Sequence, residues 1–588
     1  MSRAALIAAA RGDAPLDLLI RGAKVVNVFT LEIREADIGI LGNRIAVVDY
    51  DSAFNLSAAT VIEADGLTAI PGLIDTHVHI ESSLVTPAEF ARGVLPFGTT
   101  SVVIDPHEIC NVLGLEGFDY MLAASANLPL RVFLTVPSSV PAVPELESAG
   151  ATFEAPEIAQ MLKQPRVLGV AELMDYPGVI GQRPRTSAIV EAGLDSGKAL
   201  EGHAPLLSGR DLAAYMAAGV YSDHECRSAS EMLEKLRAGM WVYARENTFR
   251  HTVGFLAQAL KILPHAWNAA LCTDDTDPDD LLRHGHLNRG LRVLLEHGID
   301  SAKAVRIATL NAATRFGLTD LGAIASGKLA DMVLLENLTD LRPKIVIADG
   351  KIVARDGVIT AKLPPVVPAP KQNTVQIGKI TTSDFIPKQT GLTGLAQVHI
   401  LEIDPIRTTT LAHQELRFEA GLLEFPLPAD LLLLSVVPRH GQTHAPSLCL
   451  LRGLGLRHGA LATTISHDSH NLMVVGSNPE DMLIAVQAVE AMHGGAVLVL
   501  NGQVLASLPL TIAGLMSDKH LFEVAAEVKA FNQVAREHGL GGASPMLSIS
   551  SLALPVAPFY RLTDKGLVNT LTQEFVDVSS HAFVTLTA

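Results

Sequence analysis

The chain has 588 residues, 48% of them hydrophobic and 18% charged, and a formal net charge of −17 at pH 7. That composition supplies several buried cores, while its average field repels phosphate backbones and anionic membrane surfaces. Aromatic residues amount to 5% and form no basic, aromatic-interleaved stripe, so neither nucleic acid nor a membrane is expected as a partner.

From the N-terminus, MSRAALIAAARGD lacks the apolar core and cleavage context of a signal peptide. No apolar run approaches the ~18 residues of a membrane span, and the expected compartment is the cytoplasm. Short strands broken by Gly, Asn and Asp follow over 17–65: DLLIRGAKVVNV, ADIGILGNRIAVV and ATVIEA. The same texture returns in GKLADMVLLENL and KIVIADGKIVARDG. Residues 1–66 and 319–365 are therefore expected to build one small β-sandwich from both sides of a central domain.

Between them, over 67–318, apolar runs alternate with helical stretches or loops. The runs are LTAIPGLIDTHVH, TTSVVID, RVFLTVP, RVLGVAE, KALEGH, GVYSDH, MWVYARE and NAALCTD. Eight βα units predict an α/β fold, a TIM-type (β/α)8 barrel of about 250 residues whose chemistry sits at the C-terminal strand ends. The stretch from Lys362 to about Lys388 is rich in Pro, Lys and Thr and holds PPVVPAPK, and residues 366–389 read as a linker. Residues 390–588 mix strands (AQVHILEI, ALATTIS, AVLVLNGQVLA) with helical patterns (PEDMLIAVQAVEAM, KHLFEVAAEVKAFNQVAREHG), which predicts a C-terminal α+β domain. Cys110, Cys226, Cys272 and Cys449 form no CxxC pair, so neither a disulfide framework nor a structural Cys-zinc site is expected.

The strongest local signal is PGLIDTHVHIESS from Pro71. His77 and His79 are two apart, and on an extended strand both imidazoles share one face and can reach one ion. PGxxDxH resembles the first barrel strand of amidohydrolases. Glu172 ends the fourth run, where a carboxylate can bridge two cations with its two oxygens. His203 and His224 end the fifth and sixth runs. Asp274 ends the eighth; in the amidohydrolase pattern an Asp there touches metal and shuttles the proton, while its neighbour Asp275 points elsewhere on a strand. The expected metal set is His77, His79, Glu172, His203, His224 and Asp274, with Asp274 and Glu172 as the catalytic pair. These N and O ligands suit manganese, iron or zinc.

The resemblance extends beyond that superfamily. DPHEICNVLG from Asp105, GVAELMDYPGVI from Gly169, EGHAPLLSG from Glu201, SDHE from Ser222 and CTDD from Cys272 resemble the adenine deaminase family in order and spacing. So do ISHDSHNLMVVG from Ile465 and GGAVLVLNGQVLASLPLTIAGLMS in the tail. The resemblance implies a binuclear manganese or iron centre, hydrolytic deamination of adenine by a metal-activated hydroxide, a role in purine salvage, and assembly as a homo-oligomer, dimer or larger. An amidohydrolase for another aminopurine or a cyclic amide, and a non-catalytic scaffold, are the alternatives.

Candidates for substrate contact or for support of the ligands are Glu81, Asp105, His107 and Glu108, together with His467, Asp468 and His470. Histidines three apart, as in HDSHN, need a turn to converge. The chain departs from the family at Thr276-Asp277, where a basic residue and a His are expected, and at GHLN, 285–288; this puts substrate preference in question. The cytidine-type zinc deaminases are excluded: His79-Ile80-Glu81 matches their HxE, but there is no PCxxC.

Overall fold

A computed structural model describes residues 2–51, 53–404 and 408–576, and the backbone of 584–585. The two β-rich flanks of the centre do meet. The 12-residue strand Leu16–Asn27 pairs antiparallel with Glu32–Leu41 and parallel with Ala58–Glu63 and Thr68–Pro71. Thr68–Pro71 in turn pairs antiparallel with Met332–Leu335, from beyond the central domain. One continuous nine-stranded sheet results, rather than two separately bonded ones, because Leu16–Asn27 is long enough to carry partners on both edges. Ile20, Val25, Ile38, Met332 and Ile347 are fully buried in its core.

The centre holds eight parallel strands: β1 (Leu73–Val78), β2 (Thr99–Ile104), β3 (Arg131–Val136), β4 (Val167–Leu173), β5 (Ala199–Gly202), β6 (Ser222–Asp223), β7 (Trp241–Arg245) and β8 (Ala269–Cys272). They bond in sequence as two curved arcs, β1 to β5 and β6 to β8. Every residue of β2, β7 and β8 is buried, as expected for parallel strands covered on both faces. The arcs approach each other at both ends. Gly202 N–H donates to Ser222 Oγ (2.9 Å), and a Cβ at Gly202 would stand 2.1 Å from the Ser222 carbonyl oxygen, so only glycine permits the approach. At the other end, Asp274 N–H donates to the His77 carbonyl (3.0 Å) and His79 N–H to the Asp274 carbonyl (3.3 Å).

The C-terminal part is a ten-stranded, mostly antiparallel sheet with the helices Pro479–Ala491 and Leu521–Glu537. Pro479–Ala491 begins where Asn478 accepts the Asp481 N–H (2.8 Å) and proline takes the first helical position. The stretch 366–389 is more than a spacer in its second half. Thr382–Phe385 forms a helical turn closed by a Thr381/Asp384 capping box, and Phe385 and Val375 are buried in the core of the C-terminal sheet. The C-terminal part also grips the centre: Leu521 N–H donates to Glu89 (3.1 Å), Ser544 Oγ to Asp277 (2.7 Å) and Ser517 N–H to the Leu84 carbonyl (2.8 Å). Among the described residues, no helix is long and apolar enough to cross a membrane.

Candidate metal centre

Asp75, the acidic residue of PGLIDTH, does not face the site. It accepts from Thr273 Oγ1 (2.5 Å), Thr273 N–H (3.1 Å) and His77 N–H (3.2 Å). It thereby ties β1 to the end of β8 and fixes the segment that carries His77 and His79. His79 Nδ1 donates to the Asp105 carbonyl (2.9 Å), which leaves the Nε2 lone pair for the cavity. That Nε2 stands 3.1 Å from His77 Nε2.

Glu172, at the end of β4, divides its oxygens. Oε1 faces His77 (3.6 Å), His79 (3.5 Å) and His107 (3.5 Å). Oε2 faces His203 (2.6 Å) and His224 (3.1 Å). The loops bearing these last two histidines hang from one buried ion pair. Asp223 accepts the N–H groups of Ala204 (2.8 Å) and Glu225 (3.2 Å). The fully buried Lys235 caps it, with Nζ on Asp223 (2.9 Å), Glu231 (2.7 Å) and the Ala204 carbonyl (2.7 Å).

Asp274 completes this wall, with Oδ1 3.1 Å from His79 Nε2 and 3.7 Å from His77 Nε2. Its φ of 58° is left-handed, a conformation that costs energy in a non-glycine residue and recurs at functional sites. The turn also ends the strand alternation, and this corrects the expectation for Asp275. Asp275 reaches the same cavity and accepts from Ser82 Oγ (2.5 Å). The other oxygen of Asp274 is bonded by Arg245, from the end of β7, which also holds Glu225 (2.7 Å). Sequence reasoning missed Arg245 and Glu225. Both lie beside strand ends, Arg245 in the run MWVYARE and Glu225 directly after His224, but their pairing joins two strand ends that no spacing links.

The opposite wall is mixed. His107 lies between Asp105 (Nδ1 to Oδ2, 2.9 Å) and Asp468 (Nε2 to Oδ1, 3.4 Å). His467 and Asp468 reach the cavity from the C-terminal sheet, on the loop between Ala460–Thr463 and Leu472–Gly476. Buried Arg439 bonds the His470 carbonyl and donates to the Ala513 carbonyl (3.1 Å), while Asn471 Nδ2 crosses to the Ser148 carbonyl (2.7 Å). Glu81, Asp105, Glu108 and His470 are buried behind this wall. Ser466 N–H donates to His470 Nδ1 (3.2 Å), which places the ring proton of the neutral imidazole on Nε2; that nitrogen is buried without a hydrogen-bond partner, 3.8 Å from Glu108.

The donor set fits a divalent cation: imidazole nitrogens and carboxylate oxygens converge, with no thiolate among them. Asp105 Oδ1 and Asp468 Oδ2 are buried without a hydrogen-bond partner. Burial alone favours neutral groups, yet Glu172 and Asp274 are held well below the usual carboxylate range, chiefly by His224 and by Arg245 respectively. Against the same burial, Glu172 pushes His224 up to about 9. The two carboxylates thus stay ionised in a buried site, an anionic field that a metal ion would answer. Behind the site, burial beside Glu108 raises Glu81 to about 8.

The departures from the family fall outside the cavity wall. Asp277 caps the helix Pro278–His284, accepting from Asp279 N–H (2.9 Å), and its other oxygen takes Ser544 Oγ. Thr276 and Asp277 are buried structural residues at the junction with the C-terminal part. The cavity itself holds about 260 Å³.

Comparisons with known proteins match both parts of the chain. The amidohydrolase family matches residues 68–353, and the adenine deaminase C-terminal domain matches residues 407–574. Adenine deaminase of Nitratidesulfovibrio vulgaris strain Hildenborough is 44% identical over 578 residues, 97% of this chain and 98% of its own. Adenine deaminase 2 of Carboxydothermus hydrogenoformans is 40% identical over 583 residues, 98% of this chain and 99% of its own. Adenine deaminase 2 of Rhizobium etli is 45% identical over 536 residues, 91% of this chain and 88% of its own. With whole-length identity at this level and both domains matched, the chain belongs to the adenine deaminase family.

Proposed function

We propose that this chain hydrolyses adenine to hypoxanthine and ammonia, as a step of purine salvage, at a centre of two divalent cations in the mouth of a closed (β/α)8 barrel. The observation that carries the reading is Glu172, whose two oxygens each face a different set of histidines, the arrangement a carboxylate needs to bridge two cations. The approach of β8 to β1 and of β5 to β6 supports closure of the barrel. The relatives named adenine deaminase support the substrate.

His77, His79, His203, His224, Glu172 and Asp274 would hold the metal, manganese or iron, with zinc also compatible. Cations there supply Lewis acidity and bring the pKa of water from 15.7 towards about 7. The residues of the chain do the rest. Arg245 keeps Asp274 ionised and fixes one of its oxygens, which leaves the other on the cavity side, beside His79, to accept the proton of the attacking water. Asp274 then returns that proton to the departing amino group at C6, acting first as base and then as acid. His107, His467 and Asp468, on the facing wall, are placed to meet the purine nitrogens. Burial depresses His467, but Asp468 raises it to about 9, which keeps it a donor at neutral pH. Leu547 and Leu554 bring apolar surface from the C-terminal part to the same cavity and limit water around the ring.

Ammonia release tests the reading, using Mn(II)-loaded protein with adenine, other aminopurines and cyclic amides, beside Asp274→Asn. Adenine turnover that disappears in the variant supports it. Turnover of another member of the panel, but not of adenine, replaces the substrate and keeps the centre.

A further inference from the structure

The cavity also carries arginines that the proposed reaction does not use. Arg227, Arg250 and Arg561 line it from three separate segments: the loop after β6, the loop after β7, and the strand Tyr560–Thr563 of the C-terminal part. The chain carries 62 acidic against 45 basic residues, so an average arginine finds a carboxylate easily. Elsewhere many do: Arg131, Arg289 and Arg315 all pair with carboxylates. Among the described residues, none of these three guanidinium groups has a carboxylate within 4.0 Å. The nearby Glu225 is taken by Arg245 at 2.7 Å.

Arg561 is 4% exposed. Its terminal nitrogens are spent on neutral oxygens, those of Thr409, Tyr560 (2.8 Å) and Pro558 (2.5 Å), and its Nε has no partner. Arg227 Nε is likewise buried and unpartnered. Burial first, and then the positive neighbours Arg227 and Arg250, lower the pKa of Arg561 to about 9. Like charges gathered around one opening repel each other unless an anion sits between them. A carboxylate satisfies one guanidinium fork. Arg227 and Arg250, which make no side-chain hydrogen bond, offer their guanidinium forks to a tetrahedral oxyanion, while Arg561, whose terminal nitrogens are already bonded, adds a fixed positive charge beside them.

We propose that this vestibule is an oxyanion subsite that binds a phosphoryl group, either free phosphate or the phosphate of a purine nucleotide whose base points to the metal floor. The subsite stands apart from the residues assigned above to adenine hydrolysis. Direct binding reads it whether or not adenine is the substrate.

The test is calorimetric titration of the metal-loaded protein with inorganic phosphate and, separately, with adenosine monophosphate. Arg227→Gln and Arg250→Gln serve as variants. These side chains are half-buried and exposed respectively and make no side-chain hydrogen bond in the fold, so neither change removes one. Each variant is expected to weaken phosphate binding by about tenfold, the scale of one lost charged hydrogen bond. Monophosphate binding tighter than that of free phosphate assigns the subsite to a nucleotide, and equal affinities assign it to the free anion. Phosphate affinity unchanged in both variants would show that phosphate binds at the metals alone, and absence of binding by either probe would show no subsite; each result overturns the proposal.

Discussion

The two walls of the cavity are built differently. The wall of His77, His79, Glu172, His203, His224 and Asp274 comes from the ends of parallel strands, and its nitrogens and oxygens converge on one another. The facing wall comes from the helix His107–Leu113 and a loop of the C-terminal sheet, and only His107, His467 and Asp468 of its candidates reach the cavity. Strand ends inherit their direction from hydrogen bonding along the sheet, whereas the loop depends on tertiary anchors such as Arg439 and Asn471. On the proposed reading the first wall holds metal and the second meets the substrate.

The largest expected effect breaks the strand-end wall at its chemistry. Asp274→Asn removes the proton acceptor and should lower kcat by about 10³-fold, read by ammonia release, with the fold intact by circular dichroism. Lys235→Met attacks the support of that wall instead. It leaves Asp223 buried without its cation and should cost about 3–5 kcal/mol in urea denaturation. Arg245→Gln keeps the fold and the metal but frees Asp274, and a loss of about 10–100-fold in kcat at unchanged metal content would separate orientation from ligation.

The second wall should respond more mildly. His467→Asn should lower kcat/KM by about tenfold, the scale of one hydrogen bond to a charged donor, without loss of metal. Asp277→Ala sharpens the contrast from outside the cavity. It should cost about 1 kcal/mol as a lost helix cap and leave the ranking of purine substrates unchanged. A changed ranking would return Thr276-Asp277 to the substrate site.

The difference between the walls also explains what the sequence made legible. His77 and His79 were readable because period-two alternation on a strand is a local rule, and Glu172, His203 and His224 because barrel strands end where their apolar runs end. Asp274 was readable for the same reason. Asp275 was not, since one left-handed residue undoes the alternation and nothing in TDD announces it. Arg245 lay hidden because its role is to hold Asp274, a contact between two strand ends that no spacing encodes. HDSHN was visible as a motif, but which of its residues would reach the cavity depends on a loop held by Arg439, some thirty residues earlier. The segment 366–389 reads as a linker because it follows directly on the prolines of PPVVPAPK. Phe385, a lone aromatic, becomes core only through the distant sheet it meets. The departure at Thr276-Asp277 read as a change of specificity because it adjoins Asp274, yet the chain turns there into a helix cap and carries both residues away from the cavity.

Metal stoichiometry, by inductively coupled plasma mass spectrometry on protein produced with manganese, tests the division between the walls most directly. Wild type, Glu172→Gln and Asp468→Asn are compared. The account predicts about two metal ions per chain in wild type and in Asp468→Asn, and loss of most bound metal in Glu172→Gln, since a bridging ligand serves both ions. Full occupancy in Glu172→Gln, or loss of metal in Asp468→Asn with the fold intact, would contradict it.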